Sequence, residues 1–392
     1  MTTASVDVAA PAVTGRLSGA RIAILTTRFF DARSISINYY IAGMVAAMAD
    51  HHIQSRPRIL SLDALDERTR PIRDVFMDHG FPPTAAEADS LTVLDSAAIA
   101  DALDEADLIV TTFYDWGDHV AAARRRRDVP VVYWVPSILL HEYVVGGRYR
   151  WSDSGASARR QRALIRSADL LIFNSQMDRE LASRYFPGVA AKSCAIHPVP
   201  AYRLPCANDA AQRTITYAGR WDPRKGIDAL VDCVFQLYAA DRTIRLRVLT
   251  DAPTVSGAAA MLPNVTARKL ELLTGAGAVE LVPWMGRRSA YLEELCRSGV
   301  LLAPSLYDPF NIVAFDAVTL GVPSIISTFC GVTEVLRESA TVRFLNPLDV
   351  DDWYATAQEL LRGTRGAGNP VAANRRSAEE THRTLEAWAG LM

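Results

Sequence analysis

Short apolar runs alternate along this chain with segments of helical character. RIAILTT (21–27) is the first such run, and DLIVTTF (107–113), VPVVYWV (129–135) and ADLLIFNS (168–175) repeat the pattern. Strands apolar on both faces and separated by helices form parallel sheets covered on both sides. Near residue 200 the texture changes: IHPVPAYRLPCANDAAQRT (196–214) sets three prolines between Ile196 and Pro205 and then turns polar, as a linker does. TITYAG (214–219) opens a second series, continued by IRLRVLTD (244–251), VELVPWM (279–285), GVLLAPS (299–305) and GVPSIIST (321–328). Between them, Ile227, Leu230, Val231, Val234, Phe235 and Tyr238 recur at the spacing of one buried helix face.

The pattern predicts an α/β chain of two Rossmann-like domains, their parallel sheets facing across a cleft where ligands bind. Residues 1–20 form a tail, 21–200 the first domain and 201–370 the second, the latter ending in a glycine-rich loop (361–370). A closing helix over 371–392 can pack back on the first domain. No repeat of solenoid length is present.

The bulk numbers agree with this division and exclude several function classes. A chain of 392 residues, 49% apolar and 22% charged, has the length and material for two cores. A net charge of -2 leaves no footprint for nucleic acid or an anionic membrane. No apolar run is long enough to span a bilayer, and Asp7 and Pro11 interrupt the first 20 residues where a signal peptide needs an unbroken apolar stretch. Five scattered cysteines without a C-x-x-C pair argue against a disulfide framework or zinc site and for a cytoplasmic setting. The oligomeric state leaves no trace in the sequence.

Two stretches carry candidate chemistry. In YDPFNIVAFDA (307–317), Asp308 and Pro309 read as N-cap and first residue of a helix that Gly321 stops. Asp316 then falls inside a nearly all-apolar helix, where an unpaired carboxylate costs several kcal/mol. Two kinds of partner are open to it: an internal one such as an arginine or backbone amide, or a pair of ligand hydroxyls. The free N–H groups around Asn311, Ile312 and Val313 suit a diphosphate. In YAGRWDPRKGI (217–227), Arg220 and Lys225 lie in a strand-to-helix loop, where two cations can neutralise a phosphate or simply face solvent. Lys225 is one of three lysines against 39 arginines.

Together these stretches resemble the GT-B glycosyltransferases of family 4. That family's second domain has Gly-Arg and then Lys-Gly after a strand, here Gly219, Arg220, Lys225 and Gly226. An acidic-x7-acidic motif follows, here Asp308 and Asp316 in PSLYDPFNIVAFDA, and then a Gly-Val-Pro and Gly-Gly…Glu turn, here GVPSIISTFCGVTEVL. The resemblance covers about Thr214 to Leu336. It implies a retaining glycosyltransferase that moves a sugar from a UDP or GDP sugar to a small-molecule acceptor, without resident cofactor or metal. Asp308 then holds donor-sugar hydroxyls and Asp316 the ribose hydroxyls. The N–H groups of Asn311, Ile312 and Val313 receive the distal phosphate, with Arg220 and Lys225 balancing its charge. The base lies near Trp284 and Met285. The acceptor is expected amid Tyr114, Trp116, Trp134 and His141, and the weaker likeness there suggests a specialised one such as an antibiotic aminosugar. The family's own histidine position is Pro136 here, so His141 and His119 are the candidates in its place.

The sequence departs from the family pattern in four ways. Both acidic positions are Asp where Glu is usual, Asn311 replaces a Gly, Cys330 replaces the first Gly of the pair, and TTRFFDARSI (26–35) stands where a first-domain glycine loop is common. Two rival readings stay open: a nucleotide-sugar epimerase or other isomerase on the same scaffold, and a sugar-nucleotide binding protein without turnover. The run RRRR (124–127) reads as a solvated helix end.

Overall fold

A computed structural model describes residues 16–26, 58–61, 91–93, 96–147, 151–199, 213–250, 254–283, 285, 288–363 and 370–392. Among these, two parallel sheets organise the chain. The first contains β1 (Ile22–Thr26), β2 (Arg58–Ser61), β3 (Leu91–Val93), β4 (Leu108–Thr111), β5 (Val131–Val135), β6 (Leu170–Phe173) and β7 (Ser193–Ala195) in the order 3-2-1-4-5-6-7. Every residue of β4 and β5 is buried, so both faces of the sheet are covered, as their unbroken apolar runs require.

The second sheet contains β8 (Thr214–Ala218), β9 (Arg245–Leu249), β10 (Val279–Val282), β11 (Val300–Ala303), β12 (Ser324–Ser327) and β13 (Val342–Leu345) in the order 10-9-8-11-12-13. In each sheet the order reverses beside the first strand, between β1 and β4 and between β8 and β11. Loops leaving the carboxyl ends of two such strands diverge and form a crevice. The helix Ile227–Ala240 buries Ile227, Leu230, Val231 and Val234 as its spacing predicts, together with Cys233 and Leu237, while Phe235 and Tyr238 pack at the margin of the same core.

By its internal contacts the chain divides into two units. One comprises Met1–Leu139, Arg150–Tyr202 and Val371–Met392, and the other Leu140–Tyr149 and Arg203–Pro370. Within the first, the closing helix Pro370–Ala389 is held by polar anchors: His197 Nδ1 lies 3.0 Å from Glu380 Oε1, and Arg383 donates to the Ala195 carbonyl at 2.9 Å. Trp388 and Leu385 are fully buried beside them.

One expectation needs correction, the placing of Trp116 and Trp134, and two further features were not read from the sequence. β2, β3, β7 and β13 have no strong signal in the apolar pattern; β7 and most of β13 are only half-buried, so their residues need not be apolar. Trp116 and Trp134, expected near an acceptor, are core residues: Trp116 is fully buried, and the Trp134 indole donates to Asn174 Oδ1 at 2.8 Å. Cys296 is disulfide-bonded, whereas Cys194, Cys233 and Cys330 are free thiols. Spacing along the chain says nothing of which sulfurs folding brings together.

The β8 loop passes so close to the β11 loop that only a glycine fits at position 226. Its φ is +68°, and a Cβ would overlap the Pro304 carbonyl. Gly226→Ala should therefore destabilise the protein by about 2–5 kcal/mol, combining left-handed strain with overpacking against backbone. Urea unfolding measures this, and a loss below about 1 kcal/mol would show that the two loops can separate freely.

Candidate functional site at the switch point of the second sheet

The β8 loop is pinned at each step. The Tyr217 hydroxyl donates to the Arg220 carbonyl at 2.6 Å, the Trp221 indole to the Ala258 carbonyl at 2.9 Å, and Asp222 caps the short turn Pro223–Lys225 by accepting from the Arg224 N–H at 3.0 Å. Gly219 ends the strand at φ +133°, and the Arg220 side chain is exposed. The β11 loop runs alongside: Leu306 N–H donates to the Arg224 carbonyl at 2.9 Å and the Arg224 guanidinium to the Tyr307 carbonyl at 3.2 Å.

These contacts bring Lys225 and Asp308 together. Lys225 Nζ donates to Asp308 Oδ2, while Oδ1 accepts the N–H groups of Asn311 at 3.0 Å and Phe310 at 3.4 Å. The β12 loop closes the third side, with Asp308 N–H donating to the Phe329 carbonyl and Gly331 N–H to that of Asp308. Burial acts to raise the Asp308 carboxyl, but the Lys225 ammonium, the Arg224 guanidinium and the hydrogen bonds hold it below its ordinary value. Burial also lowers the Lys225 ammonium, only partly offset by Asp308. The two stand as an ion pair, and Lys225 has further N–H donors beyond the one given to Asp308.

The helix itself corrects the sequence reading. It spans Ile312–Thr319 rather than starting at Pro309, and its N-cap is Asn311, whose side chain accepts from the Ala314 N–H at 3.0 Å. Asp308 is unavailable as the cap because its backbone bridges to Cys330 and its carboxylate spans the turn before the helix. Gly321 does end the helix, at φ +76°. Asn311 is the only non-glycine with positive φ among the described residues (φ +70°), in the left-handed region that favours glycine. Its Nδ2 donates to Cys330 Sγ at 3.5 Å, so two departures from the family pattern touch one another. Burial pushes the Cys330 thiol up to about 12, keeping it neutral beside Asp308. The Asn311 N–H is taken by Asp308, which leaves the Ile312 and Val313 N–H groups, without intrahelical acceptors, as the donors at the helix start.

Asp316 is fully buried, and both its oxygens are taken by Arg288, at 2.7 and 2.9 Å. Of the two partners the sequence left open, the arginine is present. Met285 is half-buried beyond β10, and Trp284 lies outside the described residues. His141, on the helix Leu139–Val145, meets the Tyr307 ring edge-on at 4.7 Å. His119 instead lies against Trp116, its ring tilted at 59° with centroids 5.4 Å apart.

Sequence reasoning missed Arg224, Glu142 and Arg288. Arg224 is 4% exposed and pairs with Glu142 at 3.2 Å, so a buried cation lies behind Asp308 and ties the His141 helix to the site. In a chain with 39 arginines, no local pattern separates these from solvated ones.

Comparisons with known proteins bear on the family and the fold. A model of the family described as "Family 4 Glycosyltransferase in conflict systems" matches residues 143–390. The chain belongs to that family. Among curated relatives of this family 4 chain, the D-inositol 3-phosphate glycosyltransferase of a Nocardioides species is 26% identical over 281 residues, 65% of this chain and 59% of that protein. The glycogen synthase of Mycobacterium tuberculosis is 28% identical over 256 residues, 62% and 58% of the two chains. The chain thus spans about three-fifths of the length of these relatives. Among solved structures, HepE of Anabaena in complex with UDP and glucose superposes with a TM-score of 0.64 at 14% identity, covering 94% of this chain and 95% of that one. Sucrose-phosphate synthase of Thermosynechococcus elongatus gives 0.60 at 17%, covering 94% of each. With its two parallel-sheet α/β domains, the fold of this chain is GT-B.

Two outcomes follow from the buried charges. Asp316→Ala should cost about 3–5 kcal/mol in urea unfolding by leaving Arg288 unpaired, whereas Arg288→Met with Asp316→Leu should recover most of that loss. A single-variant cost under about 1 kcal/mol would remove the pair from the stability of the second unit. His141 is held below its ordinary value of 6.5 by burial, with Glu142 only partly opposing. The folded state therefore binds fewer protons than the unfolded one just below pH 6.5; the stability present above that pH declines as pH falls toward the folded value. His141→Gln should flatten this part of the stability–pH curve.

Proposed function

We propose that this chain moves a sugar from a nucleoside-diphosphate sugar, UDP favoured, to a hydroxyl of a small acceptor with retention at the anomeric carbon. The observation that carries the reading is the Lys225–Asp308 pair beside the start of the helix Ile312–Thr319, at the switch point of the second sheet. UDP is favoured because HepE was solved with UDP and with UDP-glucose. The relatives' names, a D-inositol 3-phosphate glycosyltransferase and a glycogen synthase, support a polyhydroxylated acceptor. A cytoplasmic setting belongs to the same proposal.

In this reading Asp308 accepts donor-sugar hydroxyls, while Lys225, the exposed Arg220 and the Ile312 and Val313 N–H groups meet the diphosphate. Gly219 admits it closely, and Met285 lies toward the base. The acceptor oxygen bonds to the anomeric carbon as the bond from that carbon to the phosphate oxygen breaks, with the electron pair leaving on the diphosphate. A phosphate oxygen takes the acceptor proton, so no covalent protein nucleophile is required. Fixed cations and helix N–H groups are worth most where negative charge grows, which lowers the barrier rather than merely tightening binding. His141, neutral at pH 7, serves the acceptor side.

A second reading is nucleotide-sugar binding without turnover, and both readings meet the same constraint at Asp316. A ribose hydroxyl reaching Asp316 has to be accepted beside Arg288, which already engages both oxygens.

Lys225→Gln keeps a hydrogen-bond donor for Asp308 but removes the charge. It should lower kcat by about 10²–10³-fold with the circular dichroism unchanged, and near-wild-type turnover rejects the assigned role. In a thermal-shift panel of UDP, GDP, ADP and TDP, UDP should raise Tm most. Binding without turnover of UDP-glucose across a broad panel of hydroxylated acceptors would favour the second reading.

A further inference from the structure

The arginine run 124–127 does more than end a helix. Arg126 is met by Asp104, with Nε 2.8 Å from its carboxylate, and Arg127 by the Asp104 carbonyl and Asp107. Arg124 donates to the Ser167 carbonyl and to Asp169 at 2.8 Å, and faces Asp128 at 3.7 Å. Arg125 is exposed and has no acidic partner among the described residues, and the same holds for Arg166.

Arg124, Arg125 and Arg166 line one recess of about 620 Å³ together with Lys192 and Asp169. It lies in the first unit, at the amino ends of β6 and β7, where the helices Gly117–Arg126 and Trp151–Ser167 finish. Lys192 spends two donors on the carbonyls of Arg166 at 2.9 Å and Ala168 at 2.6 Å, keeping a third. Asp169 is committed to Arg124 and to the Val131 N–H at 2.9 Å. The lining therefore carries four cations against one engaged carboxylate, with two guanidinium forks unspent. A surface patch of one sign concentrates counter-ions, and a guanidinium fork matches a phosphate oxygen pair.

We propose that this recess is a binding site for a small polyanion carrying two or more phosphate groups. The recess is shallow and open, which suits a charged ligand held at the surface, and the chain's net charge of -2 argues against an extended nucleic-acid surface. The inference stands independently of the donor site in the second unit.

Inorganic triphosphate is the probe, titrated calorimetrically at physiological salt into the full chain and into Arg125→Ala/Arg166→Ala. Saturable binding that the double variant weakens by at least about tenfold, with Tm unchanged, is the expected result. Binding at the switch-point crevice is common to both proteins and cancels in the comparison. Absence of saturable binding, or affinity the double variant leaves unaltered, overturns the proposal. A DNA duplex that binds more tightly than triphosphate and is lost with the same two arginines overturns it in favour of a nucleic-acid surface.

Discussion

The Lys225–Asp308 ion pair ties together the loops that leave β8 and β11, and the positions of the other site groups follow from it. A buried carboxylate needs its charge met, and here two loops supply what meets it, Lys225 from the first and the Phe310 and Asn311 N–H groups from the second, while a backbone bridge to Cys330 holds the residue in place from the third. Arg224 stands behind the pair and holds both the Tyr307 carbonyl and Glu142. The site is therefore rigid for electrostatic reasons as much as for packing ones.

That rigidity depends on backbone positions where side-chain identity is constrained by sterics. Gly226 allows the β8 loop to lie against Pro304. Asn311 takes a left-handed conformation that a glycine would adopt without strain, and recovers part of that cost by capping the helix and donating to Cys330. Asn311 and Cys330, both departures from the pattern of the family that the sequence resembles, touch one another through their side chains. The second carboxylate, Asp316, serves the structure in a different way, since its pairing with Arg288 joins the helix Arg288–Cys296 to the helix Ile312–Thr319.

Much of this organisation was legible in the apolar pattern. Strands buried on both faces announce themselves as short apolar runs, so β1, β4, β5, β6, β8, β11 and β12 were readable; β9 and β10 are only partly buried, but their residues still read as strand-like runs. The helix Ile227–Ala240 was readable from its 3.6-residue spacing. β7 and β13 were not, because half-buried strands accept polar residues. The start of the helix at Ile312 was misread because Asp308–Pro309 is a good capping pair locally, and a tertiary bridge from β12 took the aspartate for another purpose.

The amino-acid sequence by itself determined the two α/β halves, the loop that carries Lys225, the motif that carries Asp308, and the resemblance to family 4. These depend on periodicity and on residues near one another in the chain. Only the tertiary structure decided which charge meets which: Lys225 with Asp308 across 83 positions, Arg224 with Glu142, and Arg288 with Asp316. An arginine's partner is set by where the backbone carries it and by how little water remains there, and neither quantity is written in local sequence.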